Sequence, residues 1–508
     1  MKITKPVKFS VRTLTPVHIG NGNKYNGLSY LIDNDNNLIK IEIDFLFQHL
    51  TSEEHKKFVE WIESQSFQPS LNSFLDSIKR KDIIENLKDE NRFSKVKVGK
   101  GFDKKEVKEC INNSINSVFI PGSSIKGCLR TALAYSVISS DSNILPEFFS
   151  KELPSKPQNA DEELMNTLFN CGVKKKDGEI DYRDSKYDLL KLLKVSDTQN
   201  LSYDQCIKIY PYNIFTKKKG GELLPKQKED LYLETIQEDF KGFTVEISVD
   251  KNLLFEAHKL ETLREWIGLN EKFEKIFGLK LSQVKRDNIQ ETENIIITKL
   301  SEATKSFSKS VIAYYKKLWD GQMQFFLHKN CNSAVGEDFK NPAKKYCERC
   351  RMGNLTKSDL NTISLKELQS KYSCLENIIK GQNDNFYLVL GFGSGFVGIT
   401  LVELLNDNQI DRIREKYELG KNKYEIYCKN CNTAIQTLWE TKANIWKTYN
   451  RIKRCPKCAL SFSEKQNKNK KGKRIVDLLK PFPKTQRIAY KNSLPSMPFG
   501  WIELSLYE

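Results

Sequence analysis

Histidine is the scarcest reactive side chain in this sequence: 508 residues carry five His, alongside five Met and six Trp. Few imidazole bases are therefore available, and no Ser-His-Asp, H-E-x-x-H, nucleophile-elbow or paired-carboxylate signature emerges. Acidic charge is short too, with 65 Asp and Glu against 82 Lys and Arg, a formal net charge of +17. A composition of 29% charged and 39% hydrophobic residues is globular, and its basic excess makes nucleic acid the natural partner. Anionic membrane is the rival, but neither a basic amphipathic helix nor a lipidation motif stands out. Excess lysine can also simply solubilise a surface. Long apolar runs are missing as well. Met1-Lys-Ile-Thr-Lys-Pro-Val-Lys-Phe9 lacks the continuous apolar core of a signal peptide, so a cytoplasmic location is expected. The uncharged stretch Asn385 to Val402 is broken by Gly391, Gly393, Gly395 and Gly398, which reads as strand, glycine loop and strand instead of a membrane span.

Cysteine, by contrast, is present twelve times. Several fall in C-x-x-C pairs without an export signal, which favours metal over disulfides. Cys428-x-x-Cys431 and Cys455-x-x-Cys458, separated by 23 residues, predict a zinc ion held by four thiolates, structural because no coordination position is open. His328-x-x-Cys331 with Cys347-x-x-Cys350 forms a second candidate of the Cys3His type. In this reading His328 ends a helix and can instead simply cap it, and Cys347 and Cys350 can exchange partners with one of the later pairs. Cys110, Cys128, Cys171, Cys206 and Cys374 are isolated and read as small buried residues.

At this length two to four domains are expected. Val7 to Leu14 alternates as a strand, and Leu28 to Ile32 with Leu38 to Ile43 suggests a hairpin. Thr51-Ser-Glu-Glu54 opens about forty residues of mixed-charge helix that interrupt a β-rich unit. Leu189 to Asp197, Ile207 to Phe215, Leu231 to Ile236 and Phe243 to Val249 supply further strands. Lys217-Lys-Lys-Gly-Gly221 reads as an exposed basic loop, either a solvated hairpin tip or an RNA contact. Residues 251–330 are predicted mostly helical, with Ile295 to Phe326 as one long helix whose aromatics, Tyr314 and Tyr315 among them, belong to the core. The run Lys465 to Arg474 is predicted to be disordered until something anionic orders it.

Phe119-Ile-Pro-Gly-Ser-Ser-Ile-Lys-Gly-Cys-Leu-Arg130 joins an apolar run to an amphipathic helix through a turn. Ile125, Leu129, Ala132, Leu133 and Val137 mark one buried face, and Lys126 and Arg130 share a neighbouring one. Free N–H groups at a helix start attract phosphate. A P-loop is excluded, because Cys128-Leu129 stand where Lys and Ser or Thr are required. A capped helix with surface cations and a grip on a nucleic-acid backbone both remain. His18, in a glycine-containing loop, either packs that loop or acts as a general base on an RNA 2′-hydroxyl, though no partner acid is identifiable.

Thr15-Pro-Val-His-Ile-Gly-Asn-Gly22 and Ile120 to Arg130 resemble the paired signatures of the RAMP superfamily of CRISPR-associated proteins. Val195-Ser-Asp197, the glycine loop Gly391 to Gly398 and Phe499-Gly-Trp501 sharpen that resemblance toward the Csm subunit at the head of type III-A effector complexes. It implies an α+β fold of two ferredoxin-like, RRM-related units: a first domain at 1–250 with a helical insertion at about 50–110, a helical region at 251–345, and a second unit at 346–508 carrying a zinc-ribbon insertion at about 425–475. It also implies a non-catalytic subunit that binds the 3′ part of crRNA beside other Csm subunits, including the repeated backbone subunit, which is the one that cuts target. RNA contacts would come from His18, Gly20, Gly22, Ser123, Ser124, Lys126, Gly127, Arg130, Gly393, Ser394 and Gly395. The alternative within the superfamily is an endoribonuclease processing crRNA precursor through His18. Recruitment of trimming nucleases by the helical insertions is a third possible role, on which the sequence is silent.

Overall fold

In β1 (Val7–Thr13), Phe9, Val11 and Thr13 are buried while Lys8 faces solvent, the period of two that a half-buried strand requires. The computed structural model describes residues 6–507 apart from 89–94, 145–157, 256–265, 338–344, 392–421, 428–433, 441–469, 472–484 and shorter stretches. Around β1 a five-stranded antiparallel sheet is built from β2 (Leu193–Val195), β3 (Lys241–Val249), β4 (Phe386–Val389) and β5 (Trp501–Leu506), in the order β2-β3-β1-β5-β4. Helix α1 (Gly122–Ser140) lies in the passage from β1 to β2, which skips over β3. Helix α2 (Ile289–Leu318) lies in the passage from β3 to β4, which skips over β1 and β5. The two helices pack together, and Ile125, Leu129, Ile296 and Leu300 share one core with Phe9, Val11, Val245, Ile247 and Leu504.

A second sheet runs in the order Gly20–Tyr25, Val107–Cys110, Leu231–Ile236, Ile207–Lys217, Thr485–Lys491 and Leu494–Pro498. The short strand Leu223–Pro225 pairs with the outer end of Ile207–Lys217. Both sheets therefore combine strands from the two ends of the sequence, and the protein is a mixed α and β fold. Helices Ile43–Gln48, Ser52–Ser64, Leu71–Ser77 and Asp82–Lys88 form an insertion with its own core of Leu46, Phe58, Phe74 and Leu75. Thr51 starts the second of these through a capping box: its hydroxyl accepts from Glu54 N, and the Glu54 carboxylate accepts from Thr51 N.

Three expectations change. The long helix ends at Leu318, and Gln324–His328 is a strand; the short apolar run Phe325-Phe326-Leu327 carries no period that separates one more helical turn from a strand. Leu189–Leu192 is a 3-10 turn capped by Asp188, and only Leu193–Val195 is strand. Of the isolated cysteines, Cys110, Cys171 and Cys206 are buried as expected, but Cys128 is only partly buried and Cys374 is exposed on helix Lys366–Gly381. Tyr315 is buried in the core, stacked on Tyr372. Among the described residues no helix is long and apolar enough to cross a membrane.

Candidate nucleic-acid interface and metal centre

The motifs scattered from residue 15 to 501 meet where β1 ends. Trp501 N donates to Thr15 Oγ1 at 3.0 Å, Leu14 N to the Trp501 carbonyl at 2.8 Å, and Gly500 N to the Pro16 carbonyl at 2.8 Å. Leu390 N donates to the Gly500 carbonyl at 2.7 Å, which brings the start of the glycine loop to the same place. Gly391 there has φ +53°, and a Cβ on it would overlap the His18 carbonyl oxygen, so no other residue fits without moving that loop. His18 itself is 1% exposed, with Nδ1 2.7 Å from the Glu234 carbonyl oxygen. A buried imidazole held this way packs the loop. Gly20 and Gly22 are exposed in the edge strand Gly20–Tyr25. Gly393, Ser394 and Gly395 lie outside the described residues.

Helix α1 enters the same region. Val137 and the four other apolar residues of its predicted face are all buried. Its first amide, Gly122 N, donates to Asp197 Oδ1 at 2.7 Å, and a Cβ on Gly122 would stand 2.5 Å from the Val195 and Ser196 carbonyl oxygens. Val195-Ser-Asp197 is thus the surface on which the helix start is seated, and one of its N–H groups is already satisfied by carboxylate. Both predicted cations are also engaged. Lys126 Nζ donates to the Leu193 carbonyl at 2.8 Å; Arg130 pairs with Asp188 and lies 5.0 Å over the Phe169 ring. Burial holds the Lys126 ammonium below its usual pKa, Asp188 opposes this, and the nearby charges of Lys194, Arg130 and Lys191 lower it further. Ser123 and Gly127 are exposed, and Ser124 is partly so. Cys128 Sγ contacts the Val389 carbonyl oxygen at 2.9 Å and ties α1 to the end of β4.

A buried polar hub beneath this region carries no sequence motif. Glu234, with no exposed surface, accepts from Tyr25 Oη at 2.8 Å, from Tyr203 Oη, and from Cys110 N at 2.9 Å. Burial, then the charge of Glu234, push both phenols well above their usual pKa. Lys40 bridges Glu234 to Glu109, and Glu109 accepts from Asn21 at 2.7 Å, fixing the exposed glycine strand to the sheet. Burial pushes the Glu109 carboxyl up, but its bonds to Lys40 and Asn21 bring it below its usual value. The one available sequence signal was a carboxylate inside Leu231-Tyr-Leu-Glu-Thr-Ile236.

Elsewhere, four donors converge. In a four-stranded sheet ordered Lys345–Cys347, Ser333–Glu337, Gln324–His328 and Leu360–Ser364, His328 pairs with Ser333 and Val335 with Cys347. His328 therefore ends a strand and does not cap a helix. His328 Nδ1 lies 3.1 Å from Cys331 Sγ and 3.5 Å from Cys350 Sγ, and Cys331 Sγ lies 3.0 Å from Cys347 Sγ. Cys350 N points to Cys347 Sγ at 3.5 Å, and Cys347 N donates to the Met352 carbonyl, closing a knuckle. All four ligand atoms lie within 4.8 Å of one another, a set that can hold a metal ion. Cys428, Cys431, Cys455 and Cys458 lie outside the described residues.

The family profile described as RAMPs, the RAMP superfamily, matches residues 10–482. A protein of Methanocaldococcus jannaschii described as "CRISPR system Cms protein Csm5" is 24% identical over 519 residues, covering 100% of this chain and 90% of that protein. One of Streptococcus thermophilus with the same description is 25% identical over 241 residues, 44% of this chain and 60% of that protein's length. A chain of a cryo-EM Csm-crRNA-target RNA ternary complex from a type III-A CRISPR-Cas system shares the fold, with TM-score 0.54 and 18% identity over 98% of this chain and 100% of that one.

Proposed function

Because this chain belongs to the RAMP superfamily, we propose that it is a crRNA-binding subunit of a type III-A CRISPR Csm effector complex. The reading rests on one observation above others: family motifs hundreds of residues apart are bonded together, Thr15 and His18 with Trp501 and Gly391 where β1 ends, and Val195 to Asp197 with the start of α1, which Cys128 ties to the end of β4. There the exposed Ser123, Gly127, Gly20 and Gly22 offer backbone to a phosphate chain, and Lys126 with Arg130 add charge. The subunit covers the 3′ part of the guide and supports its maturation beside the other Csm subunits. It does so without cleaving RNA, and the burial of His18 supports that side of the reading. The sheet around β1, with α1 and α2, serves as a ferredoxin-like unit completed by the last strand of the chain. The His328 cluster is a structural zinc site, since three thiols and an imidazole are the donor set that zinc favours.

The test is the RNA that co-purifies with the tagged chain expressed from its own locus. Sequencing should return repeat-derived guides enriched over total RNA, and a random RNA population would overturn the assignment. Incubation of the isolated chain with repeat RNA should leave the RNA intact; cleavage would restore the endoribonuclease reading.

A further inference from the structure

We infer that the ion held by His328, Cys331, Cys347 and Cys350 fastens the sheet of residues 324–364 onto the outer end of the second sheet, so that the order of that end depends on metal. The inference rests on the zinc reading above and adds a structural consequence to it.

The first argument is the size of the core. Among the described side chains of 324–364 the segment's own buried cluster is Val335, Cys347, Leu355 and Leu360, with Phe326 and Cys331 packed partly against it, while Leu327 is buried in a separate core with Val311, Ile312 and Tyr315. Two members of the segment's own cluster, Cys331 and Cys347, are themselves ligands. A cluster this small holds the ligand-bearing end of the sheet only weakly, and small units of this kind are commonly stapled. A disulfide is the rival staple. The Cys331 and Cys347 sulfurs stand 3.0 Å apart, well beyond the bonded distance of about 2.05 Å. A bond between them would also leave His328 and Cys350 aimed at the same point with no common partner. A tetrahedral ion uses all four, with ligand atoms about 3.5–3.8 Å apart for ordinary zinc bond lengths. The observed 3.0–3.5 Å spacings open on binding, by about 0.8 Å for the two sulfurs of Cys331 and Cys347 and by less for the pairs with His328. On binding, three thiol protons leave to solvent as three S–Zn bonds and one N–Zn bond form. With no open position, the ion does no chemistry on substrate.

The second argument is position. Strands Gln324–His328 and Ser333–Glu337 both lie against Leu223–Pro225. That short strand is bonded to Phe215–Lys217 at the end of the long strand Ile207–Lys217. The hairpin formed by His328 and Ser333 is closed at the ligand end, so releasing the ion frees the two strands that cover Leu223–Pro225.

The experiment measures zinc per chain and amide exchange on the full-length protein, as wild type, Cys350→Ser, the double variant Cys347→Ser with Cys350→Ser, and His328→Cys. Cys428→Ser with Cys431→Ser serves as a control for the other cysteine pairs. Expected are loss of one zinc in the double variant, faster exchange in 324–364 and in both 207–217 and 223–225, and full retention of zinc and protection in His328→Cys. The control should leave exchange in these segments unchanged. Cys350→Ser, which disturbs only the exposed ligand, gives the same exchange readout if the double variant fails to fold. An unchanged zinc content in the double variant, or a Cys331–Cys347 disulfide found by mass spectrometry, overturns the zinc reading and the inference with it. Zinc lost while 207–217 and 223–225 stay protected overturns the fastening alone.

Discussion

Two glycines that look equivalent in the sequence are separated by what a methyl group would meet. Gly391 sits at φ +53° against the His18 carbonyl, whereas Gly127, exposed in α1, has nothing within 4 Å of an added Cβ. Gly391→Ala should cost about 1–2 kcal/mol from the left-handed backbone alone, and more for displacing the loop, read as a lowered Tm. Gly127→Ala should instead raise stability by roughly 0.5–1 kcal/mol, because alanine loses less freedom in a helix. If RNA backbone approaches here, the same substitution weakens RNA binding while Tm rises, and unchanged affinity would remove Gly127 from the interface. Sequence reasoning found both glycines but not this difference, since the clash at Gly391 is with a residue far away in the chain. The Glu234 hub was missed for a related reason: a lone carboxylate in a strand announces nothing until its tyrosines and Lys40 arrive from three other elements.

At the scale of elements, what alternates or repeats locally was legible. β1, the strands at 207, 231 and 243, the helix start at Thr51 and the buried face of α1 all follow from side-chain period. Pairing was not legible, because nothing local in Val7–Thr13 specifies Trp501–Leu506 as its neighbour. The cysteine spacing around 328–350 picked out four residues whose ligand atoms the fold brings within 4.8 Å of one another, yet its setting was taken for a helix where the structure has strands. One contact between helices can be tested by pH. Glu376, on helix Lys366–Gly381, accepts from Lys316 Nζ of α2 at 2.5 Å and from Lys380 Nζ at 2.6 Å. These bonds, against a smaller effect of burial, bring its carboxyl from 4.5 down to about 2. The folded value lies below the unfolded one, so the stabilisation is complete above about 4.5 and disappears as pH falls toward about 2. The pair is partly exposed, so solvent screening limits its worth to about 0.5–1 kcal/mol. Glu376→Gln should be less stable than wild type in urea near pH 7, with the gap narrowing below about pH 4.5. A gap independent of pH would mean that packing, not charge, joins these helices.

For the molecule as a whole, the net charge of +17 points to a polyanion, but charge alone does not say which cations are free to meet it. Lys126 is already bonded to the Leu193 carbonyl, so in RNA binding it must exchange or share that partner. Burial and the surrounding Lys194, Arg130 and Lys191 disfavour its charged form, and an incoming phosphate would relieve both the repulsion and the missing countercharge. Phosphate binding should therefore oppose that lowering, with affinity falling where pH rises through the Lys126 pKa. Binding should also weaken steeply with salt, because each phosphate neutralised releases counterions. Removing one such contact by Lys126→Ala should flatten the plot of log affinity against log salt by about 0.7 and lessen the alkaline loss of affinity, without altering sequence preference. The opposite pattern has an equally definite meaning. A lowered Tm with both slopes unchanged would make Lys126 a brace for β2, leaving the phosphate chain to the first-turn amide of Ser123.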